Sequence, residues 1–559
     1  MNKESIMYNF IPHFKYKLNG SIKESSELKS DDYSLDINVT DSAVKVVLHP
    51  AKEIELVSFS LETARKMSAD EVFFVNGFQS WSTSPEVGCN EIVKGINSIA
   101  NISKFTRHLA SMSGDYLFEN YDGKPGHFHS FTYTYFRKGT DIELFGSETE
   151  RTGYTIFEND TSEGKFFIKK DVCGVIASGD YELLNVLIIN KSYDEAFDEY
   201  FASLNLRKSK IEHMSGYTSW YNYFQKIDEK IILRDLDGLD KVKDAVSIFQ
   251  IDDGYETFVG DWLSVDEKKF PRGMKFIADR IHEKGYTAGI WIAPFSCQRV
   301  SVVAKEHPEW LIKDEKGKPM WGCFAWGGAY TLDMYNPEAA DYIRNFFNVI
   351  LNDWGYDMVK LDFLYSQAIY PRNGKSRGQI MCEAMDFLRE CVGEEKLILG
   401  CGVPLGPSFG VVDACRISCD VDLVYGGKFY NKLGVNREVP SAQNSMNNSI
   451  FRRHLNHRVF CNDPDVFFLR KNNLDFTDEQ KFILGKVNNL FGDVLFVSDN
   501  AGDYGEKETE LVRKFFKVND SKIISAGFTD KDVISVIYIE DGAEKNFTFN
   551  LKQGVIIKQ

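Results

Sequence analysis

Carboxylate side chains follow most of the buried, strand-like runs in the second half of the sequence. Asp252 and Asp253 follow one such run, Asp362 another and Asp420 a third, and further aspartates stand at 463, 465 and 499. Like charges repel one another at short range, so a ring of acids at strand ends favours a binding or catalytic site over a purely structural role. Any one of these aspartates could instead cap a helix or form a turn.

Two kinds of chemistry use several carboxylates. Metal binding usually recruits histidine as well, and the predicted strand ends contain none; His127 and His129 are more typical of a strand face, and His454 and His457 of structural residues. Glycoside cleavage needs one carboxylate as nucleophile and one carboxylic acid that protonates the leaving oxygen. It also accounts for the tryptophans, whose rings pack against sugars. We therefore expect neither a metal nor a cofactor.

Lys360 stands two residues before Asp362 on a predicted strand. Side chains two apart on a strand point to the same side. An ammonium group there would lower the pKa of Asp362 and keep the carboxylate ionised, as a nucleophile must be. A structural ion pair is the alternative interpretation.

The elements that must position these residues are apolar strands alternating with amphipathic helices. Helix starts are indicated by Asn336 before Pro337 and by Thr477 with Gln480, which form a capping box. This pattern predicts a (β/α)8 barrel over residues 206–518; an open, doubly wound sheet is the alternative, but no GxGxxG follows the first strand. Eight strands are predicted, at 216–224, 246–252, 287–295, 357–363, 396–402, 414–420, 458–469 and 493–499.

Residues on either side of the barrel read as β-structure. Residues 1–205 contain many strand-like runs in succession, closed by a helix at 192–205, and predict a large antiparallel sandwich. Residues 519–559 return to short strands and tight turns, which predict a small antiparallel domain. The expected architecture is therefore multidomain.

Composition excludes several classes of protein. The chain has 559 residues, 43% of them hydrophobic and 26% charged, and a net charge of −16 that argues against nucleic-acid binding. We find no apolar run long enough to span a membrane and no signal peptide at the N-terminus. Ten cysteines without CxxC spacing predict reduced thiols and a cytoplasmic location.

Several of these segments, taken in order, match a known family. They are GFQSWS at 77–82, TSWYNYF, FQIDDGYE, GIWIAPF, KLDF, LGCGVPLGPSFGVVDACRISCDV and FCNDPDVFFLR. The sequence resembles glycoside hydrolase family 36, the bacterial α-galactosidases or melibiases, which have an N-terminal β-supersandwich, a catalytic (β/α)8 barrel and a small C-terminal antiparallel β-domain. The ordered set is specific, although a single motif such as DDG is weak.

The resemblance implies a retaining exo-α-galactosidase that acts on small oligosaccharides of the melibiose or raffinose type. Asp362 would be the nucleophile, and Asp420 the general acid and then base. Other side chains would bind or shape the galactose site: Asp252 and Asp253 at the 4- and 6-hydroxyls, Lys360 and Arg416 near the anomeric centre, Cys401 near the 2-position, and Trp291, Trp220, Tyr221 and Trp81 around the ring. Relatives are often oligomeric, which leaves a homo-oligomer open.

The sequence also departs from the family. Ser418-Cys419 stands where family members often have Gly-Pro, and Asp422 competes with Asp420 for the role of the acid; the spacing from Arg416 favours Asp420. Residues 320–330 could form a loop on the aglycone side or a plain surface loop. Alternative functions are an α-N-acetylgalactosaminidase, a galactosyl-transferring relative, a non-catalytic sugar-binding barrel, and a metal-dependent lyase or isomerase.

Overall fold

The N-terminal region contains two antiparallel sheets of seven strands each. The structure is a computed structural model, and it describes residues 8–98, 102–428 and 436–559. The first sheet has the order Ser21–Ser25, Ile11–Leu18, Ile54–Ala64, Lys165–Lys170, Thr155–Asp160 and His127–Phe131, with Ile176–Ala177 also paired to Ile54–Ala64. The second has the order Tyr33–Val39, Ala43–Pro50, Tyr181–Ser192, Asp141–Ser147, Tyr133–Lys138, Val72–Phe74 and Glu86–Gly88.

These strands form because their apolar residues alternate with polar ones. In Ala43–Pro50, Val44, Val46 and Leu48 are all buried and face one side. Residues of both sheets, such as Phe59 of the first and Phe145 of the second, share one apolar core. The region also contains the helices Lys104–Ser111 and Tyr193–Ser203 and a 3-10 turn at Glu150–Thr152.

A parallel sheet of nine strands follows. Every pairing within it is parallel, as expected for buried apolar strands covered by helices. Its spatial order is Cys461–Asp463, Ala414–Arg416, Leu397–Gly400, Met358–Leu361, Thr287–Ile292, Ile248–Ile251, Met214–Thr218, Val494–Val497 and Val466–Phe467.

The two outer strands of this sheet are consecutive pieces of one predicted strand. Cys461–Asp463 and Val466–Phe467 are separated by Pro464, which has no N–H to donate, and by Asp465, whose φ is 75°. The sheet therefore curls until its first and last strands meet in the chain. Among the described residues, no strand pairing joins the two pieces. The hydrogen bonding of the curled sheet is therefore interrupted at this one point.

Helices and turns connect the strands of the curled sheet. The predicted helix starts at Asn336 and Thr477 are confirmed, because both side chains accept hydrogen bonds from the first helical turn. The helices are Trp220–Tyr223, Glu229–Gly238, Gly273–Glu283, Val302–Glu306, Pro337–Asn348, Arg377–Val392, Leu405–Ser408, Ala442–Phe451, Asp478–Phe491 and Glu506–Phe516. Shorter helical turns lie at Leu239–Ala245, Pro308–Trp310, Ala325–Gly327, Val349–Asp353, Leu364–Ala368, Arg453–Leu455 and Ala501–Asp503.

Two further antiparallel sheets complete the fold. Ser296–Gln298, Ala329–Thr331 and Trp321–Cys323 form a three-stranded sheet within the curled-sheet region. The C-terminal sheet has four strands in chain order, Lys522–Asp530, Val533–Glu540, Ala543–Asn550 and Val555–Lys558. The predicted multidomain succession of antiparallel, helix-covered parallel and antiparallel sheets is thus confirmed. No helix in the described part of the chain is long and apolar enough to cross a membrane.

The predicted strands were too long at their C-terminal ends. The strand expected at 216–224 is Met214–Thr218, and Trp220 and Tyr221 lie on the short helix that follows. The strand expected at 414–420 ends at Arg416, which leaves Asp420 in the next loop. In each case the chain turns away at the end of the sheet, while buried residues such as Tyr221 and Ile417 continue beyond it.

Candidate active site

A cavity of about 250 Å³ lies where the parallel strands end. Asp252 and Asp253 directly follow Ile248–Ile251, and Asp362 directly follows Met358–Leu361, with Thr287–Ile292 paired between these two strands. Carboxyl ends of parallel strands meet at one face, so the acids converge there. The lining comprises Trp81, Ser113, Trp220, Asp252, Asp253, Trp291, Ala325, Trp326, Lys360, Asp362, Phe363, Cys419, Asp420, Glu438 and Pro440.

Asp362 is buried and held by two donors. Its Oδ2 accepts from Trp291 Nε1 at 3.1 Å, and its Oδ1 accepts from the backbone N–H of Phe363 at 2.9 Å. Burial, helped by the nearby Asp420 carboxylate, leaves the pKa of this carboxyl raised above its ordinary value; the Lys360 ammonium and these hydrogen bonds lower the pKa but offset the rise only in part. A carboxylate fixed at both oxygens can present a defined lone pair to a bound carbon.

Lys360 forms a buried ion pair with Asp252. Lys360 Nζ lies 2.9 Å from Asp252 Oδ2, and the same oxygen accepts from Gln250 Nε2 at 2.9 Å. Burial by itself would lower the pKa of Lys360, but the Asp252 carboxylate outweighs it and raises that pKa. The lysine is therefore charged, and its field reaches Asp362.

Asp253 is held by side chains from three segments. Gln225 Nε2 donates to both of its oxygens at 3.0 Å, and Trp326 Nε1 donates to Oδ2 at 2.9 Å. Glu256 is also hydrogen-bonded to Asp253, and burial raises the pKa of both carboxyls. Two buried acids in contact share a proton, so this pair can both donate to and accept from a ligand hydroxyl.

Asp420 is held by Arg416, which stands at the end of its own strand. Arg416 Nη1 donates to Asp420 Oδ1 at 3.0 Å, and the same guanidinium lies 2.9 Å from Asp465 Oδ1 and 3.3 Å from Asp463 Oδ2. The side chain of Asp420 is 40% exposed, whereas Asp362 is buried. The cavity thus brings together one deep and one solvent-facing carboxylate.

Asp422, the competing acid, accepts hydrogen bonds from the backbone N–H groups of Val424 and Lys428. These contacts turn its carboxyl towards its own loop, whereas Asp420 lines the cavity.

Trp81 reaches the cavity from the N-terminal region. Its Nε1 lies 3.3 Å from Cys401 Sγ, and its ring packs edge-on against Phe363 with centroids 5.1 Å apart. Gly402 permits this approach: its φ is +56°, and a Cβ there would lie 2.8 Å from the Trp81 ring. Cys401 therefore lies behind the tryptophan and fixes its position.

Two other predicted residues also lie behind the lining. Tyr221 is buried and donates to Asp465, and Arg416 orients Asp420 as described. Asp465 in turn accepts from the backbone N–H of Val421 at 2.7 Å, which ties down the loop that carries Asp420. These residues position the site, while Trp220 and Trp291 line it directly.

Sequence reasoning missed several lining residues. Trp326 belongs to the segment 320–330, for which an aglycone-side loop was one interpretation, and its density of tryptophan and glycine was the available signal. Glu438 had no such signal, because it lies in a loop and contacts residues 356 and 322 positions away in sequence. The others are Ser113, Ala325, Phe363, Cys419 and Pro440.

The histidines have structural environments. His127 and His129 lie on the strand His127–Phe131, and His129 Nε2 is 2.7 Å from the buried Asp115. His454 is buried and stacks on Phe197 with ring centroids 3.9 Å apart. Across residues 8–98, 102–428 and 436–559, no three His, Cys, Asp or Glu side chains are arranged to hold a metal ion.

Comparison with known proteins agrees with this arrangement. Residues 219–380 match the family model described as melibiase. The chain is 34% identical over 137 residues to the A type blood α-D-galactosamine galactosaminidase of Flavonifractor plautii, and 33% identical over 132 residues to the α-galactosidase Mel36A of Lactobacillus acidophilus. These matches cover 23% and 22% of the chain but only 13% and 17% of the two relatives.

The fold as a whole is found in solved structures. The α-galactosidase TtGalA of Thermus thermophilus, in complex with p-nitrophenyl α-D-galactopyranoside, superposes with a TM-score of 0.70 at 23% identity, over 95% of this chain and 98% of that one. The fold is therefore shared with a solved α-galactosidase structure. The predicted resemblance to the family 36 α-galactosidases is confirmed: residues 219–380 match the melibiase model, and the fold is that of solved α-galactosidases.

Proposed function

We propose that this protein is a retaining exo-α-galactosidase that releases terminal α-linked galactose from small galactosides. The observation that carries the proposal is the pairing of Asp362 and Asp420 in one cavity, the first fixed by Trp291 and the Phe363 backbone N–H and the second by Arg416. Of its structural neighbours, TtGalA has been solved with stachyose and AgaA of Geobacillus stearothermophilus with raffinose.

The geometry supports a double displacement. Asp362 attacks the anomeric carbon while Asp420 protonates the leaving oxygen; a covalent galactosyl-enzyme forms, and Asp420 then activates the water that releases galactose. The exposed position of Asp420 suits both tasks, because leaving group and water exchange through the mouth of the cavity. We also propose that the curled sheet is the (β/α)8 barrel of this family, interrupted only at Pro464 and Asp465.

Asp252 and Asp253 are proposed to bind the galactose 4- and 6-hydroxyls. An ionised carboxylate only accepts hydrogen bonds, whereas a sugar hydroxyl both donates and accepts. The buried partners of the two acids, Lys360 and Glu256, supply the missing donors. Trp291 and Trp326 pack edge to face with centroids 5.9 Å apart and offer apolar surfaces to the sugar ring. No cofactor has a role in this scheme.

The first test is the variant Asp362→Asn. It should abolish turnover of an aryl α-galactoside and leave the circular dichroism spectrum unchanged. In the wild-type enzyme, a slow α-galactosyl fluoride should label Asp362, as identified by mass spectrometry. Undiminished activity in the variant, or a label on another residue, would end the proposal.

Asp420→Ala separates the acid from the nucleophile. Hydrolysis of melibiose should be lost, whereas an aryl galactoside with a good leaving group should still form the intermediate, and added azide should accelerate its turnover. A variant that hydrolyses melibiose normally would transfer the role of the acid to another residue, with Asp422 the first to test.

An α-N-acetylgalactosaminidase or a galactosaminidase is the second candidate, favoured by the relative from Flavonifractor plautii. Paired aryl α-galactoside, α-galactosaminide and α-N-acetylgalactosaminide substrates separate these activities. Galactosyl transfer would appear as new oligosaccharides at high substrate concentration. Galactose binding without hydrolysis would indicate a non-catalytic barrel, and activity lost to a chelator and restored by a divalent ion would indicate a metal-dependent lyase or isomerase. The cytoplasmic location and a homo-oligomer stay predictions.

A further inference from the structure

Glu438 is a carboxyl in the cavity wall for which the proposed reaction has no use. It is 9% exposed and lines the same cavity as Asp362 and Asp420. Its Oε1 accepts from Ser82 Oγ at 2.6 Å, and its Oε2 accepts from Tyr116 OH at 2.8 Å. A carboxyl group fixed in this way does not move away from a ligand that enters.

The partners of Glu438 are themselves anchored. Tyr116 OH accepts from the backbone N–H of Arg437 at 2.7 Å, and Arg437 Nη1 donates to Tyr121 OH at 3.2 Å. Tyr121 in turn donates to the buried Asp115 at 2.7 Å. The wall that carries Glu438 is therefore built jointly by the N-terminal region and by the loop after residue 435.

Glu438 has hydrogen-bonding capacity left over. Each carboxyl oxygen has two acceptor sites and receives one donor in the contacts above, so each can accept another hydrogen bond. Burial raises the pKa of Glu438 to about 7, so near neutral pH the group can also donate. A carboxyl that can accept and donate suits a sugar hydroxyl.

The position of Glu438 points to the leaving group. Asp252, Asp253 and Lys360 form one hydrogen-bonded side of the cavity, assigned above to the far end of the galactose ring. Glu438 lies on another side, close enough for its charge to act on Cys419, the residue before Asp420. Ser113 and Pro440, which line the cavity with it, are half-buried, as expected at the mouth.

We propose that Glu438 binds a hydroxyl of the leaving-group sugar, so that the enzyme prefers oligosaccharides to simple alkyl galactosides. This rests on the proposed α-galactosidase function, because the leaving group must sit beside the acid Asp420. Glu438 is then a specificity-determining residue supplied to the barrel by contacts with the N-terminal sheets.

The test compares melibiose with methyl α-galactoside. Both substrates release an alcohol, so both need protonation by Asp420 to a similar degree. Only the leaving group of melibiose, a sugar, carries further hydroxyls that Glu438 could bind. In Glu438→Gln, kcat/KM for melibiose divided by that for methyl α-galactoside should fall about tenfold, the effect of one good hydrogen bond. A merely structural role would lower both values equally and leave the ratio unchanged.

Two variants guard against misfolding. Tyr116→Phe removes one anchor of Glu438 without touching the cavity and should lower the same ratio by a smaller factor. Tyr16→Phe removes a tyrosine-to-carboxylate hydrogen bond of the same kind, to Asp32; neither residue lines the cavity, so the ratio should stay as in wild type. If Glu438→Gln does not fold, Tyr116→Phe decides, and an unchanged ratio there overturns the assignment. A wild-type enzyme that hydrolyses neither substrate overturns the proposed function and this inference with it.

Discussion

Removing the ammonium group of Lys360 should change both the stability of the protein and the titration of Asp362, the proposed nucleophile. Lys360 is paired with Asp252 at 2.9 Å, and both side chains are buried. In Lys360→Gln the Asp252 carboxylate stays buried without its counter-charge, which costs about 3–5 kcal/mol of folding free energy. Urea unfolding followed by tryptophan fluorescence measures that loss.

The catalytic consequence follows from the field of the lysine. Lys360 lowers the pKa of Asp362, and burial raises it. An opposite charge within a few ångströms lowers a carboxyl pKa by about 1–3 units, so its removal should raise the pKa of Asp362 by a similar amount. Because the nucleophile must be ionised, the acidic limb of kcat/KM for an aryl α-galactoside should move to higher pH by that amount.

A double variant separates the two effects. Lys360→Gln with Asp252→Asn removes the unpaired buried charge at position 252, so most of the lost stability should return, although Asp252 is then missing from the sugar site. The reasoning fails if the acidic limb of Lys360→Gln stays at the wild-type pH, or if the double variant is no more stable than the single one.

Two further substitutions test the structure outside the cavity. Arg452→Lys should lower stability by roughly 3 kcal/mol, measured by urea unfolding. The fully buried guanidinium donates to the carbonyls of Gly77, Gln79, Ser80 and Ile417, and a lysine leaves some of them unpaired. Wild-type stability in the variant would contradict this. His457→Asn removes the bond to Asp493 that raises the pKa of His457 from 6.5 to about 10, while asparagine still tolerates the φ of 60°. The stability that this bond contributes is fully present below pH 6.5 and is lost as the pH rises through 10. The difference in melting temperature between wild type and variant should therefore be largest near pH 6 and vanish above pH 10. A difference that does not depend on pH would refute this reasoning.

The sequence predicted the parallel strands and the acids that follow them because both leave local signals. An apolar run of strand length followed by Asp252 or Asp362 marks the end of a buried strand, and these acids do meet in the cavity. The run after Met214–Thr218 remained aromatic, so Trp220 and Tyr221 were assigned to the strand although the chain had already turned into a helix. A hydrophobic run in the sequence indicates that residues are buried, and residues stay buried after the strand has ended. Hydrophobicity alone therefore does not locate the end of a strand.

Which residues face the cavity depends on contacts that no short segment encodes. Arg416 and Tyr221 have residue types that suit a sugar site, yet their polar atoms are hydrogen-bonded to other protein groups. Arg416 donates to Asp420, and Tyr221 donates to Asp465. Glu438 does not directly follow any strand predicted from the sequence, and only the folded chain brings Ser82 and Tyr116 to its oxygens.

The active-site cavity is therefore not a property of the parallel sheet alone. Trp81 forms part of its wall, and the backbone just before that residue is fixed by the curled-sheet region: Ser80 N–H donates to the carbonyl of Val403, and the Ser80 carbonyl accepts from Arg452. Gly402 makes room for the Trp81 ring, and Ser82 holds Glu438. Because each side positions groups of the other, the N-terminal sheets are a structural part of the cavity. Under the proposed function, a change at their contact with the curled parallel sheet should alter substrate choice before it alters the chemistry at Asp362.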